Sequence, residues 1–197
     1  MGENVYVGGG VTEKIVDGVC VFEYTTTRDE WSHLPPHHVR LFAMAQFTGK
    51  LITVGGRIDS GPTGKVYRFK DESQEWVEFL KPMPTARFGL TASTTQYAII
   101  ASGGTTGVRD DKHVPCTTVE VYCSETSQWY TADPLPAPYF SMSSVTIADT
   151  CYQLGGFDAD SNSVATVLYA SLTSLIQKAT SPTHQSASRT SVWKTLH

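Results

Sequence analysis

Leu51-Ile52-Thr53-Val54-Gly55-Gly56, a run of apolar and β-branched residues that ends in two glycines, has three further versions in the chain. They are Val5-Tyr6-Val7-Gly8-Gly9, Ile99-Ile100-Ala101-Ser102-Gly103-Gly104 and Cys151-Tyr152-Gln153-Leu154-Gly155-Gly156. From the last glycine of one run to the last glycine of the next, the steps are 47, 48 and 52 residues. A period of this length indicates repeated structural units, each of which packs against its neighbours.

The tryptophans follow the same period. Trp31, Trp76, Trp129 and Trp193 are all the tryptophans of the protein, and each comes after a Gly-Gly run and a short alternating segment with an aromatic residue. Tryptophan offers a large apolar surface and one N–H group that needs a partner. We therefore expect the four tryptophans and the four glycine pairs to be structural residues that fill and close the contacts between units.

Within the second unit, four short segments read as β-strands. Residues 42–47 are mostly apolar, as expected of a strand buried on both faces. Residues 51–54, 66–69 and 76–79 follow as further short strands, and no helix is expected. Four strands in a period of about fifty residues are typical of one blade of a β-propeller. Proline-rich segments mark the passages between blades: residues 34–36, 82–84 and 134–136.

Together, the Gly-Gly runs, aromatic strands and tryptophans resemble the kelch repeat, and Pro82-Met83-Pro84-Thr85-Ala86-Arg87 is similar to the link between successive kelch repeats. The resemblance extends from Val5 to about Trp193. It implies an all-β, kelch-type propeller of about four blades, each with four short antiparallel strands. We expect one kelch-repeat region over residues 1–197, with units of about 1–38, 39–86, 87–138 and 139–197.

Two departures from the family pattern affect these expectations. Kelch propellers usually have five to seven blades, and the first unit here begins at its Gly-Gly strand, so we expect an incomplete first blade and an incomplete propeller. A truncated, non-functional fragment is therefore one alternative. The fourth unit also contains ten Ser or Thr among residues 171–191, for which we predict a solvated loop.

Charge and targeting signals exclude several classes of protein. With 15 basic and 19 acidic residues the net charge is −4, which argues against nucleic-acid binding. The chain has no run of eighteen apolar residues and no N-terminal signal sequence, and its four cysteines form no CxxC pair. We therefore expect a cytoplasmic protein that neither crosses nor binds a membrane.

No catalytic motif stands out. His37 and His38 are adjacent, and neighbouring residues of a strand point to opposite faces; His113 and Cys116 supply at most two ligands. We predict no catalytic residues, no metal, no cofactor and no enzymatic activity. The alternative is an enzyme on a kelch scaffold, either a sugar epimerase or a copper-radical oxidase.

The resemblance also implies where a partner binds, because in kelch propellers the loops between second and third strands and the loops between blades form one end face. The former are residues 10–18, 57–64, 105–116 and 157–163, and the latter are residues 34–40, 80–87 and 132–140. Arginine and aromatic residues are favoured interface anchors. The candidates in these loops are Arg57, Arg109, Arg40, Arg87, Tyr139 and Phe157. We predict a protein-interaction module whose partner is another protein or a peptide, and an acidic peptide would suit the arginines. Arg40 and Arg87 have an alternative role, which is to hold the blade junctions.

Overall fold

The computed structural model describes residues 4–9, 19–181 and 191–196. The first antiparallel sheet contains β1 (Asn4–Gly8), β2 (Val19–Thr25) and β3 (Glu30–His37). The second contains β4 (Ala43–Phe47), β5 (Lys50–Val54), β8 (Val66–Lys70) and β9 (Glu75–Leu80), with a small hairpin of β6 (Arg57–Ile58) and β7 (Gly61–Pro62) between β5 and β8.

The third and fourth sheets repeat this order. The third contains β10 (Thr91–Thr94), β11 (Ala98–Ser102), β14 (Val119–Cys123) and β15 (Gln128–Thr131), with a longer hairpin of β12 (Thr105–Arg109) and β13 (Lys112–Pro115). The fourth contains β16 (Ser143–Ile147), β17 (Thr150–Leu154), β18 (Val167–Ser171) and β19 (Lys194–Leu196), and helix α1 (Leu172–Thr180) follows β18. The expected all-β propeller of about four blades is confirmed, and among the described residues the first blade has three strands. We number the blades 1 to 4 in chain order.

Backbone contacts near the axis join the blades. Leu41, Gly89 and Ser141 precede the inner strands of blades 2, 3 and 4, and all three have positive φ angles. The N–H of Gly89 donates to the carbonyl of Leu41 at 2.9 Å, and the N–H of Ser141 donates to the carbonyl of Gly89 at 2.7 Å. The left-handed conformation is uncommon for Leu and Ser. These two hydrogen bonds connect the starts of the inner strands of neighbouring blades and so restrain their spacing.

Three tryptophans pack between blades. Their indole N–H groups donate to backbone carbonyls: Trp76 to Pro35 near the end of β3 at 2.9 Å, and, in the connectors, Trp129 to Lys81 at 2.8 Å and Trp193 to Asp133 at 3.0 Å. Each acceptor residue immediately precedes a proline. Trp31 has no preceding blade in the described structure, and its side chain is 57% exposed.

The sequence comparison aligns Gly8-Gly9 with Gly55-Gly56, but in the structure the correspondence is shifted by one residue. The N–H of Gly9 donates to the carbonyl of Cys20, just as the N–H of Gly55 donates to the carbonyl of Lys65. Gly9 therefore takes the place of Gly55, and Gly8 is the last residue of β1. A Cβ on Gly8 would meet the ring of Phe42 at 3.3 Å, so a small residue is still favoured there.

The loop predicted for residues 171–191 is wrong over its first half. Residues 172–180 form α1, and the side chains of Leu172, Leu175, Ile176 and Ala179 are buried between blades 3 and 4. The side chain of Ser171 caps the helix by accepting from the N–H of Ser174. Residues 182–190 lie outside the described residues. In the described part of the chain, no helix is long and apolar enough to cross a lipid bilayer.

Helix α1 fits because blade 4 has a small residue where the other blades have an aromatic one. Phe69 and Tyr122 pair with Trp76 and Trp129 on the neighbouring outer strands. Ala170 occupies the same register position in blade 4, beside the end of β18, and it is buried together with the helix. The volume that a ring fills in blades 2 and 3 is thus filled in blade 4 by the apolar side of α1.

Candidate partner-binding face

Successive strands of each antiparallel sheet alternate in direction, so the connections leave the blades at two opposite ends. One end holds the β6–β7 hairpin, the β12–β13 hairpin and residues 157–163, together with the connectors that enter blades 2 to 4. We call this end the loop face. Backbone bridges join each connector to the inner loop of its own blade: Arg40 with Arg57, Phe88 with Thr105 and Phe140 with Phe157. The predicted loop of residues 10–18 lies outside the described residues.

Two of the predicted arginines are exposed on this face. Arg57 lies at the start of β6 with its guanidinium carbon 5.5 Å from the ring centroid of Phe88 in the next blade, within cation–π range. Arg109 lies at the end of β12, next to the turn residues Asp110 and Asp111. Within residues 4–9, 19–181 and 191–196, neither arginine forms an ion pair. Both guanidinium groups are therefore open to an anionic partner.

Arg40 is engaged more closely within the chain. Its Nη2 donates to Oδ1 of Asp59 at 3.0 Å, and the Asp59 side chain is fully exposed to solvent. An exposed pair of this kind contributes little to stability, because solvent screens it and ordering two long side chains costs entropy. The charge of Arg40 is thus balanced by Asp59. Its neighbour Arg57 has no such ion pair in the described residues.

Arg87 does not belong to the loop face. Its side chain is completely buried between blades 2 and 3, where it pairs with Glu120. Its Nε donates to the carbonyl of Gly103 at 2.8 Å, its Nη2 to the carbonyl of Ala101 at 2.9 Å and its Nη1 to the carbonyl of Thr85 at 2.8 Å. The partner-binding role predicted for Arg87 is therefore wrong, because the guanidinium is buried and its N–H groups form hydrogen bonds within the blade junction.

Tyr139 also packs at a junction. It is half-buried against the core between blades 3 and 4, and its carbonyl accepts the N–H of Gly104 at 2.9 Å. The prediction that Tyr139 contacts a partner finds no support in this placement.

Phe157 ends a row of rings that crosses the loop face. The ring centroids of Phe88 and His113 are 5.9 Å apart, those of His113 and Phe140 are 4.6 Å apart, and those of Phe140 and Phe157 are 5.4 Å apart. Phe88 and Phe140 are buried, whereas Phe157 is 36% exposed. We call Phe88, His113, Phe140 and Phe157 the aromatic row; it begins at the buried ring next to Arg57 and ends at the exposed ring of Phe157.

The sequence prediction missed three members of this row. Phe88 and Phe140 each follow a proline-rich connector directly before the residue with positive φ, which is a repeated position that Arg40 holds in blade 2. That spacing was available in the sequence. The placement of His113 was not, because it depends on how the β12–β13 hairpin folds over two blades. The Nδ1 atom of His113 is buried with no hydrogen-bond partner in the described structure.

The two adjacent histidines serve the junction between blades 1 and 2. Nε2 of His37 lies 2.8 Å from Oγ1 of Thr53, and Nε2 of His38 lies 3.1 Å from the hydroxyl of Tyr67. The His37 ring is fully buried and stacks on Trp76 with centroids 4.6 Å apart. Burial lowers the pKa of His37 to about 3, with a smaller contribution from His38, so the ring is neutral near pH 7.

Potential metal ligands are dispersed over the described ranges. No three His, Cys, Asp or Glu side chains there are close enough together to hold an ion. The thiol of Cys116 points toward the carbonyl of Gly103 at 3.8 Å, and His113 belongs to the aromatic row.

Comparison with known proteins adds to this geometry. Residues 86–136, which include the strands of blade 3, match the model of the family described as Kelch motif. This segment of the chain therefore carries a kelch motif. The sequence of the chain is 27% identical over 161 residues to Kelch-like protein 23 of Pongo abelii, covering 79% of this chain and 28% of that protein. It is 28% identical over 160 residues to Kelch-like protein 40 of Mus musculus, covering 78% of this chain and 24% of that protein.

A third relative is the Kelch repeat and BTB domain-containing protein 12 of Homo sapiens, 24% identical over 176 residues, with 78% of this chain and 28% of that protein covered. The chain spans about a quarter of the length of the curated relatives that it matches. The similarity thus concerns the repeats, and it assigns no activity and no partner.

Proposed function

We propose that this kelch-repeat chain is a non-enzymatic interaction module that binds another protein or a peptide through the loop face. The observation that carries the proposal is that Arg57 and Arg109 are exposed on this face and have no ion pair in the described structure. Unbalanced arginines attract acidic groups, and their rigid fork of donors makes them frequent interface anchors. An acidic segment of a partner is the proposed ligand.

The rigidity of the scaffold supports this proposal. The β6–β7 and β12–β13 hairpins arise from buried strands, and backbone bridges tie them to the connectors. Loops held in this way lose little conformational entropy on binding, which leaves more of the interaction energy for affinity. The enzymatic alternative has less support, because His37 and His38 are engaged in the junction between blades 1 and 2.

The test begins with peptides selected from a random display library on the purified chain. Affinities of the selected peptides are then measured for the wild type, Arg57→Ala and Arg109→Ala by fluorescence anisotropy at two salt concentrations. We expect Arg57→Ala to weaken binding by roughly tenfold or more and to reduce the salt dependence, because an attractive charge is lost. We expect a smaller loss for Arg109→Ala, since Asp110 and Asp111 flank that side chain.

The matched control is Arg28→Ala. Arg28 lies between β2 and β3, at the end of blade 1 opposite to the loop face, and its side chain is 67% exposed. This variant removes the same charge from another part of the molecule, and we expect its affinity to stay within about twofold of the wild type. If Arg57→Ala and Arg109→Ala both bind like Arg28→Ala, the loop face is not the binding site.

A further inference from the structure

The loop face changes character from blade 2 to blade 4. The residue after each glycine pair is Arg57 in blade 2, Thr105 in blade 3 and Phe157 in blade 4. Through the backbone bridges these residues pair with Arg40, Phe88 and Phe140, respectively. The face therefore begins with two arginines and ends with two stacked phenylalanines, and a partner that matches it must also have two different ends.

At the blade 2 end the free group is Arg57. A guanidinium held near the face of an aromatic ring keeps the N–H groups of its edge available, and these donors match the two oxygens of a carboxylate. Phe88 provides that ring, and Arg40 is already bonded to Asp59. One unbalanced guanidinium thus remains, and it suits a single carboxylate.

At the blade 4 end the free group is the Phe157 ring. Phe140 supports one side of it with ring planes inclined by 29°, while 36% of the Phe157 surface stays exposed. An apolar side chain placed on this ring would remove the exposed surface from water, which favours binding. Between the two ends, Phe88 and Phe140 are buried, and the β12–β13 hairpin carries Arg109 and Lys112, so an extended chain would contact the face chiefly at Arg57 and Phe157.

We infer that the loop face takes a short extended peptide segment with an acidic residue at the Arg57 end and a bulky apolar residue at the Phe157 end. The separations between Arg57 and Phe157 along the aromatic row are 5.5, 5.9, 4.6 and 5.4 Å. A path of this length is spanned by roughly seven extended residues or fewer. This inference rests on the proposed function and adds to it the chemistry of the partner.

The experiment uses random twelve-residue peptides displayed on phage and selected on the intact chain. We expect the selected peptides to share an Asp or Glu separated by roughly three to six positions from a Phe, Leu, Trp or Met. Replacing the apolar residue of a selected peptide by Ser should weaken its binding to the wild type by roughly tenfold. The same replacement should have little further effect on the Phe157→Ala protein, since the two changes remove one shared contact.

The control for Phe157→Ala is Ile147→Ala. Ile147 is also in blade 4 and is 61% exposed, but it ends β16 at the opposite end of the blade. We expect Phe157→Ala to weaken binding by roughly tenfold without changing the salt dependence, and Ile147→Ala to leave both unchanged. A thermal melt of each variant shows whether the fold is retained.

The outcomes separate this inference from the proposed function. If Arg57→Ala weakens binding and Phe157→Ala does not, the loop face binds acidic peptides but the two-ended partner is wrong. If the selected peptides carry no acidic residue, or if neither variant weakens binding, both proposals are overturned. Loss of affinity with both variants, together with the expected spacing in the peptides, supports both.

Discussion

The junction between blades 2 and 3 and the junction between blades 3 and 4 fill the same repeat positions with opposite chemistry. The carbonyl of Arg87 accepts the N–H of Gly56 at 2.9 Å, and the carbonyl of Tyr139 accepts the N–H of Gly104 at 2.9 Å, so Arg87 and Tyr139 are equivalent. The side chain of Arg87 forms a buried ion pair with Glu120. In blade 4 the strand position of Glu120 is held by Leu168, which is completely buried.

This difference shows which features of the junction are essential. Both junctions keep the glycine hydrogen bond, the packed strands and the tryptophan that donates to a connector carbonyl. The side chains differ: the junction between blades 2 and 3 holds the ion pair of Arg87 with Glu120, and the junction between blades 3 and 4 has Tyr139 and Leu168 at the same positions. A buried ion pair does not by itself stabilise a fold more than apolar packing does, although removing one partner of the pair is costly. We therefore attribute the blade geometry to the backbone and tryptophan contacts. The ion pair is one of two kinds of side-chain packing that the junction accepts.

The largest effect is expected when this ion pair is broken on one side. Arg87→Met leaves the Glu120 carboxylate buried without its cation, and such a loss typically costs about 3–5 kcal/mol. Urea unfolding of the wild type and the variant at pH 7 measures the change in the free energy of unfolding. A cost below about 1 kcal/mol would contradict the buried position of the pair.

The comparison of junctions is sharpened by the double variant Arg87→Tyr with Glu120→Leu. It gives the junction between blades 2 and 3 the residue types that the junction between blades 3 and 4 has at Tyr139 and Leu168. If the two kinds of packing are interchangeable, the double variant recovers most of the roughly 3–5 kcal/mol lost by Arg87→Met. A double variant as unstable as Arg87→Met would show that the junction between blades 2 and 3 requires the ion pair.

A smaller effect is expected for the tryptophans, where a covered blade face can be compared with an uncovered one. Trp129 packs against the core between blades 2 and 3 and donates to the carbonyl of Lys81, whereas Trp31 is 57% exposed. We expect Trp129→Ala to cost about 3 kcal/mol and Trp31→Ala less than about 1 kcal/mol. Thermal unfolding of the two variants tests this, and equal losses would contradict the assigned packing.

The smallest effect concerns pH and distinguishes the junction between blades 1 and 2 from the others. The pKa of His37 is about 3 in the folded protein and near its ordinary value of 6.5 in the unfolded chain. Between these values the unfolded chain binds a proton that the folded protein does not, so the stability contributed by neutral His37 is lost as the pH falls below 6.5. From pH 7 to pH 5 this loss is about 2 kcal/mol.

The variant His37→Met checks this pH dependence. Unfolding free energies at pH 7 and pH 5 should differ by about 2 kcal/mol less in the variant than in the wild type, whatever its absolute stability. An unchanged difference between the two pH values would show that His37 is not the residue responsible.

The repeat made much of the fold predictable from the sequence. The Gly-Gly runs and the tryptophans defined the blades, because a feature that recurs four times is read with little dependence on local propensity. Helix α1 was missed because the many Ser and Thr residues suggested a loop. Its apolar positions, Leu172, Leu175, Ile176 and Ala179, have the spacing of one helix face, so that signal was present.

The candidate site was less predictable. The sequence nominated arginines from segments that it predicted to be loops, but it could not distinguish the buried Arg87 from the exposed Arg57, because burial depends on distant residues. Arg87 is held by Glu120, thirty-three positions later in the chain. No local pattern reveals such a partner. The aromatic row likewise depends on contacts between blades 3 and 4, although its members at repeated positions could have been aligned.

The most direct test of the account is hydrogen–deuterium exchange of the chain with and without a selected peptide. Binding at the loop face predicts slower exchange in residues 57–62 and 105–115, which form the two hairpins, and around residue 157. It predicts no change at the turns of the opposite end, residues 26–29, 71–74 and 124–127. Protection confined to those turns, or to β1 and β3 of blade 1, would contradict the account, because the partner would then bind outside the loop face.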